Sequence, residues 1–258
     1  MNFISFLVTL ILTNIKSTIS LRASFVLQSI FMAINNLIFF SMWWIFFGKF
    51  EDINGWRLSE IEAMYGFAAG SFGLAVIFGD GVREIARKII DGSLDTYLVQ
   101  PKNILIQAVV AKSNASGWGD LVTAIILLAL SGYLTWKNLP IIIILHIAAT
   151  LIFLSVGIIS QSLAFWLGPI EHLAREIFEF VLTFSVYPQT IFPSAFKVLL
   201  FTVIPAGFVG YLPVEVVKNF SIPFLIVCVI AAAIYLLIAV YVFSVGLRRY
   251  ESGNKIGV

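Results

Sequence analysis

From Ile222 to Gly246 the chain runs 25 residues without an Asp, Glu, Lys or Arg. A helix of about 20 apolar residues crosses the hydrocarbon core of a bilayer, so this segment reads as a membrane span. Charged residues are only 12% of the 258-residue chain and hydrophobic residues 60%, against about 25% charged in a soluble domain. Bilayer is therefore the main solvent, and little chain is left over for a soluble catalytic domain. The formal net charge of +2 is small and scattered, which argues against nucleic acid as a partner. The one cysteine, Cys228, lies inside the apolar run, so neither a disulfide framework nor a thiolate metal site is available.

The same reasoning along the chain predicts an all-α membrane protein with six transmembrane helices, at 25–48, 62–79, 118–135, 141–166, 176–190 and 222–246, in one transmembrane domain over 1–258. Residues 1–22 are too short of apolar length to span. Asn2, Ser5, Thr9, Thr13 and Lys16 recur every three or four positions and form one polar stripe, the pattern of a helix lying in the membrane interface. A cleaved signal peptide is the competing reading, but no positive charge precedes the apolar run. Trp43 and Trp44 suit the headgroup boundary, and Gly66 and Gly70 form a pair that lets another helix approach closely. Pro188, Pro193, Pro205 and Pro213, with Gly207 and Gly210, crowd one region. A straight helix is disfavoured there, and a re-entrant pair of half-helices is predicted over 191–213 before the last span.

Assigning lysines and arginines to alternate sides places 11 of the 16 on one side, among them Arg83, Arg87, Lys88, Arg248 and Arg249, and 5 on the other. The positive-inside rule then puts both termini in the cytoplasm, in keeping with an even number of spans.

No G-x-x-x-x-G-K-[ST] loop occurs, so the chain lacks the usual cradle for nucleotide phosphates. His146 and His172 are far apart in the reading, and His146 has no carboxylate in its span. No metal, cofactor or catalytic residue is assigned. The interiors of spans one, two, four and six lack Asp, Glu, Lys and Arg, which weakens an ion-coupled carrier.

The connector over 82–101 carries the strongest functional signal. Val82, Ile85, Ala86 and Ile89 form an apolar helical stripe, while Arg83, Glu84, Arg87, Lys88 and Asp91 cover the remainder. Gly92 is placed to stop that helix, and Ser93 starts a shorter one ending before Pro101. Such a segment either docks into a motor protein or lies in the interface with a solvated charged face. Gln28, Ser29, Asn35 and Asn36, seven apart in pairs, share one face of the first span. They line a cargo path or bond to neighbouring helices.

The run IARKIIDGSLDTYLVQP resembles the first cytoplasmic loop of type-2 ATP-binding-cassette permeases, with Ile90, Gly92, Leu94, Asp95, Leu98 and Pro101 filling the pattern and Asp91 an added carboxylate. YPQTIFP and VIPAGFVGYLP resemble stretches near the last span of the same family, and RASFVLQSIF and 56–66 its early region. The resemblance implies an exporter permease with an N-terminal interfacial helix, six spans, a cytoplasmic coupling helix and re-entrant half-helices. It implies two separately encoded ATPase subunits, which hold ATP and Mg, and a second permease chain, identical or homologous, in a prokaryotic plasma membrane. Arg83, Glu84, Arg87, Lys88, Asp91, Gly92, Leu94 and Asp95 would then belong to the motor contact, and Gln28, Asn35 and Asn36 to the cargo path. A subunit of an ion-coupled carrier or channel is the alternative. A membrane-embedded enzyme would need clustered intramembrane histidines or carboxylates.

Overall fold

The computed structural model describes residues 3–251, and among them the regular structure is helical, with one isolated β-bridge between Ile53 and Trp56. The helices are α1 (Phe3–Ser20), α2 (Arg22–Phe47), α3 (Leu58–Gly79), α4 (Ile85–Ile90), α5 (Asp95–Leu98), α6 (Ile104–Val110), α7 (Ser116–Leu130), α8 (Leu139–Ser162), α9 (Ala164–Leu167), α10 (Glu171–Ser185), α11 (Ser194–Thr202), α12 (Leu212–Asn219) and α13 (Ile222–Leu247). Four continuous helical stretches are long and apolar enough to cross a membrane: Arg22–Phe47, Leu58–Ile90, Leu139–Leu167 and Ile222–Leu247. A bent pair, Ser194–Thr202 with Gly207–Asn219, meets at 80° and brings the total to five if it counts as one span.

The six full spans expected from sequence are thus met only in part. Two of them correspond to α7 and α10, of 15 residues each. A helix of that length rises about 22 Å, short of the roughly 30 Å hydrocarbon core. α7 ends because Gly132 turns the chain with φ of +76°. α10 begins at Glu171, five residues before the expected start, once Pro169 is passed, and it ends before Tyr187 rather than at 190. Pro188 is the reason, since the residue ahead of a proline is driven out of the helical region.

The re-entrant region also differs in extent. Pro193 immediately precedes α11, Pro205 lies in the bend, and Pro213 sits in the first turn of α12. A proline in a first turn has no missing hydrogen bond to regret, so the second arm continues to Asn219 instead of stopping at 213. Where the arms meet, Ser185 Oγ donates to the Ala206 carbonyl at 3.4 Å and the Tyr235 hydroxyl donates to that of Thr202. Broken backbone inside a membrane needs such partners.

α3 is the axle of the bundle, buried along nearly its whole length from Glu60 to Gly79. α7 packs along it at close range: a Cβ at Gly66 would stand 2.8 Å from Leu128 Cγ and 3.2 Å from the Ala124 carbonyl. α8 covers the adjoining face, where Phe72 meets Phe153 edge-on at 5.5 Å, and α13 packs on α8. α2 and α13 keep large apolar side chains outermost, including Ile38, Phe39, Ile45 and Leu237, as lipid-facing or partner-facing helices do.

α1 packs beside a break in the chain. The chain breaks between α6 and α7, freeing carbonyls that a continuous helix would engage. Asn14 Nδ2 donates to the Val110 carbonyl at 2.7 Å and Thr18 Oγ1 to that of Ser113 at 3.2 Å, while Ser29 Oγ of α2 donates to that of Ala115 at 3.0 Å. At the opposite end of α3, Lys218 Nζ of α12 lies 2.8 Å from Glu60 Oε1, fastening the re-entrant arm to the central helix.

Candidate functional site

α3 does not stop at Gly79. It tightens into a 3-10 turn, Asp80–Glu84, and runs on into α4. Gly92, with φ of +78°, then reverses the chain in a conformation that costs a residue with a Cβ. Asp91 Oδ1 accepts from Ser93 N at 2.9 Å and Ser93 Oγ at 2.6 Å, closing the turn that leads into α5. Partial burial raises the Asp91 pKa, but the Ser93 hydrogen bonds and the Arg87 and Lys88 charges outweigh it and hold the carboxyl below its ordinary value of 3.8.

The apolar stripe read from the sequence is the underside of this segment. Val82, Ile85, Ala86, Ile89 and Leu94 are buried against Leu105 and Ala108 of α6, Ile158 of α8, Ala164 of α9 and Phe243 of α13. Gln161 Oε1 of α8 accepts from the Ala86 backbone N–H at 3.0 Å. Five apolar side chains thus pack on four helices and join the segment to the bundle.

Above that underside lies one charge network. Asp80, 1% exposed, pairs with Arg83 and stands 3.6 Å from Lys112 Nζ. Glu84 gathers Lys112 at 2.8 Å, Lys88 at 3.2 Å and Arg87 at 3.3 Å. Arg83 also reaches Glu179 of α10 at 4.0 Å. Asp95 faces the Tyr250 hydroxyl, whose pKa is pushed up to about 12 by burial first, then by the Asp95 carboxylate and the more distant Asp91 charge.

The eight residues assigned to a motor contact therefore divide. Leu94 is fully buried and Lys88 nearly so, which makes them anchors of the segment. Arg83 and Glu84 are half-buried in the network, Asp95 is half-buried beside Tyr250, and Gly92 is half-buried in the turn. Arg87 and Asp91 face outward. Beside them Ile90, Leu98 and Val99 are exposed, Val99 to 83%. Sequence reasoning missed this apolar rim. The available signal was that Leu98 and Val99 are adjacent and cannot both turn inward.

The amides of the first span divide in the same way. Gln28 and Asn35 are exposed on α2, with Gln28 Nε2 donating to Ser24 Oγ at 2.7 Å. Asn36 is buried and donates through Nδ2 to Asp120 Oδ1 of α7 at 2.7 Å. α10 adds a polar face that the sequence did not single out: His172, Arg175, Glu176 and Thr183 are exposed along it. Charges on the outside of a membrane helix need water or a partner. The four prolines, by contrast, set backbone geometry at the ends of helices and in the bend.

A family model described as ABC-2 family transporter protein matches residues 30–254. The chain belongs to that family. Neither a curated protein nor a solved structure matches it. As an ABC-2 protein it is a multi-pass membrane component of a transporter, a permease subunit and not itself an ATPase, and membership implies association with an ABC ATPase.

Proposed function

We propose that this ABC-2 chain forms half of the permease of an exporter and is driven by two separately encoded ATPase subunits that hold ATP and Mg. A second permease chain, identical or homologous, completes the pathway. In this reading α2, α3, α7, α8, α10 and α13 serve as six spans, with α7 and α10 short, α1 in the interface, and α11 with α12 re-entrant. Both termini face the cytoplasm of a prokaryotic cell and the pathway runs through its plasma membrane.

The observation that carries the proposal is the build of residues 80–99: an apolar underside packed on four helices, and an outer rim of Arg87, Ile90, Asp91, Leu98 and Val99 left uncovered. A mixed apolar and charged rim suits a groove in a partner protein. Nucleotide-driven closure of the motor pair would press on that rim. Because the underside packs on α8 and α13, the push reaches them as a rigid-body movement. Gln28 and Asn35, exposed on α2, are the amides that suit the cargo path, while Asn36 serves packing.

Co-purification of the tagged chain tests this. An ATPase should accompany it from detergent, and Val99→Asp with Leu98→Asp should release that partner while the chain stays monodisperse. Transport by the chain alone in liposomes, driven by an ion gradient and without nucleotide, would instead establish the carrier reading.

A further inference from the structure

A cleft of about 280 Å³ opens between the coupling segment and the start of α10. One wall is the network already described, Asp80, Arg83, Glu84, Arg87 and Lys112, whose charges are engaged with each other. The other wall is Glu171 and Arg175, one turn apart on α10. These two form no ion pair or side-chain hydrogen bond among the described residues. Glu171 is the first residue of α10, which has no side-chain cap at Ile170. Four basic groups (Arg83, Arg87, Lys112, Arg175) stand against three acidic ones (Asp80, Glu84, Glu171), an excess of one positive charge.

A lone anion would meet Arg175 but be repelled by the unengaged Glu171. A lone cation would meet the reverse. A ligand that carries a phosphate and, a few atoms away, a primary ammonium satisfies both. We propose that the cleft binds such a zwitterion, with its phosphate against Arg175 and the guanidinium edge of the network and its ammonium donating to Glu171. The source that fits the cleft's place is the head group of an aminophospholipid. That placement rests on the orientation proposed above, which sets this end of the bundle at the level of the inner-leaflet head groups.

The test is lipid binding to the full, delipidated chain in detergent, read by native mass spectrometry. Phosphatidylethanolamine, phosphatidylcholine, phosphatidylglycerol and soluble phosphoethanolamine are titrated separately. Phosphatidylethanolamine should bind about tenfold more tightly than the other two lipids, the scale of one charge-assisted hydrogen bond. Arg175→Gln should weaken it by about as much, and Arg175→Lys should restore part of the loss. Glu171→Gln should erase the preference over phosphatidylcholine while leaving phosphate binding in place. Soluble phosphoethanolamine saturating at the same concentration as the lipid would assign the same chemistry to a free zwitterion. Equal binding of all three lipids, or unchanged binding in both neutral variants, would overturn the proposal. Labelling of Gln100→Cys from the cytoplasmic or the outer side reads orientation separately, so failure of the orientation is distinguishable from failure of the site.

Discussion

Gly73 of α3 and Gly117 of α7 face each other backbone to backbone: a Cβ built on Gly73 would lie 2.7 Å from the Gly117 carbonyl oxygen, and one built on Gly117 would lie 2.6 Å from that of Gly73. Neither obstacle is the flexible end of a side chain, so a methyl on either residue must push the helices apart. Gly73→Ala and Gly117→Ala should each destabilise the protein by about 1–3 kcal/mol, the usual cost of overpacking. Their double variant should cost less than the sum, because one displacement of α7 accommodates both. Thermal unfolding in detergent measures each. Unchanged melting of Gly73→Ala would contradict the close approach.

Arg87 and Lys88 are neighbours in sequence and differ in role. Arg87 keeps more than half of its side chain exposed, while Lys88 is nearly buried with its Nζ on Glu84. Arg87→Glu should therefore leave the melting temperature close to that of the parent and lower transport per ATP hydrolysed. Lys88→Glu should lower the melting temperature, since it sets two carboxylates against each other in a half-buried position. Parallel measurements of unfolding, ATP hydrolysis and transport separate the two. Equal loss of stability in both variants would put Arg87 among the structural charges.

The contrast between those two residues also marks what sequence could show. Val82, Ile85, Ala86 and Ile89 recur at helical spacing, so the existence of the connector and its apolar face were legible. Which charges turn outward was not, because that depends on Lys112, which lies 24 positions beyond Lys88 and approaches Glu84 only once α6 has folded back. The long apolar spans were legible for the same reason as the stripe: burial in lipid leaves a continuous signal. The limits of α10 were obscured because its charges extend its polar face toward Glu171, and Pro188 ends it before the apolar run does. The docking of α1 left no periodic trace at all. It depends on two side chains, Asn14 and Thr18, meeting carbonyls at a break almost 100 residues away.

Tyr250 gives a pH dependence to the contact between the chain's end and the coupling segment. Its pKa is raised from 10.0 to about 12, with burial the largest cause. A group whose folded pKa lies above its unfolded one contributes stability that is complete below the unfolded value and disappears as pH rises through the folded one. The stability difference between the parent and Tyr250→Phe should thus be constant below pH 10 and change between pH 10 and about 12 in the direction that weakens the parent. Thermal unfolding of the two proteins over that range measures it, and a pH-independent difference would show that the hydroxyl is solvated.

Asn36 and Asp120 set a last distinction, between amides that hold the bundle together and amides left for cargo. Asn36 Nδ2 satisfies Asp120 Oδ1 inside the bundle, and Asp120 is 1% exposed. Asn36→Leu leaves that carboxyl without its donor in an apolar surrounding, which should cost about 1–3 kcal/mol. Removing the carboxyl as well, in Asn36→Leu with Asp120→Leu, takes away the group that suffers. The double variant should recover much of the loss despite carrying one more substitution, because both partners of a buried hydrogen bond can be replaced together at small cost. Gln28→Leu and Asn35→Leu, on the exposed face of α2, should leave the melting temperature unchanged and alter transport. If Gln28→Leu destabilised the chain as Asn36→Leu does, the exposed amides would belong to an interface between helices, and the cargo path would lie along α10 instead.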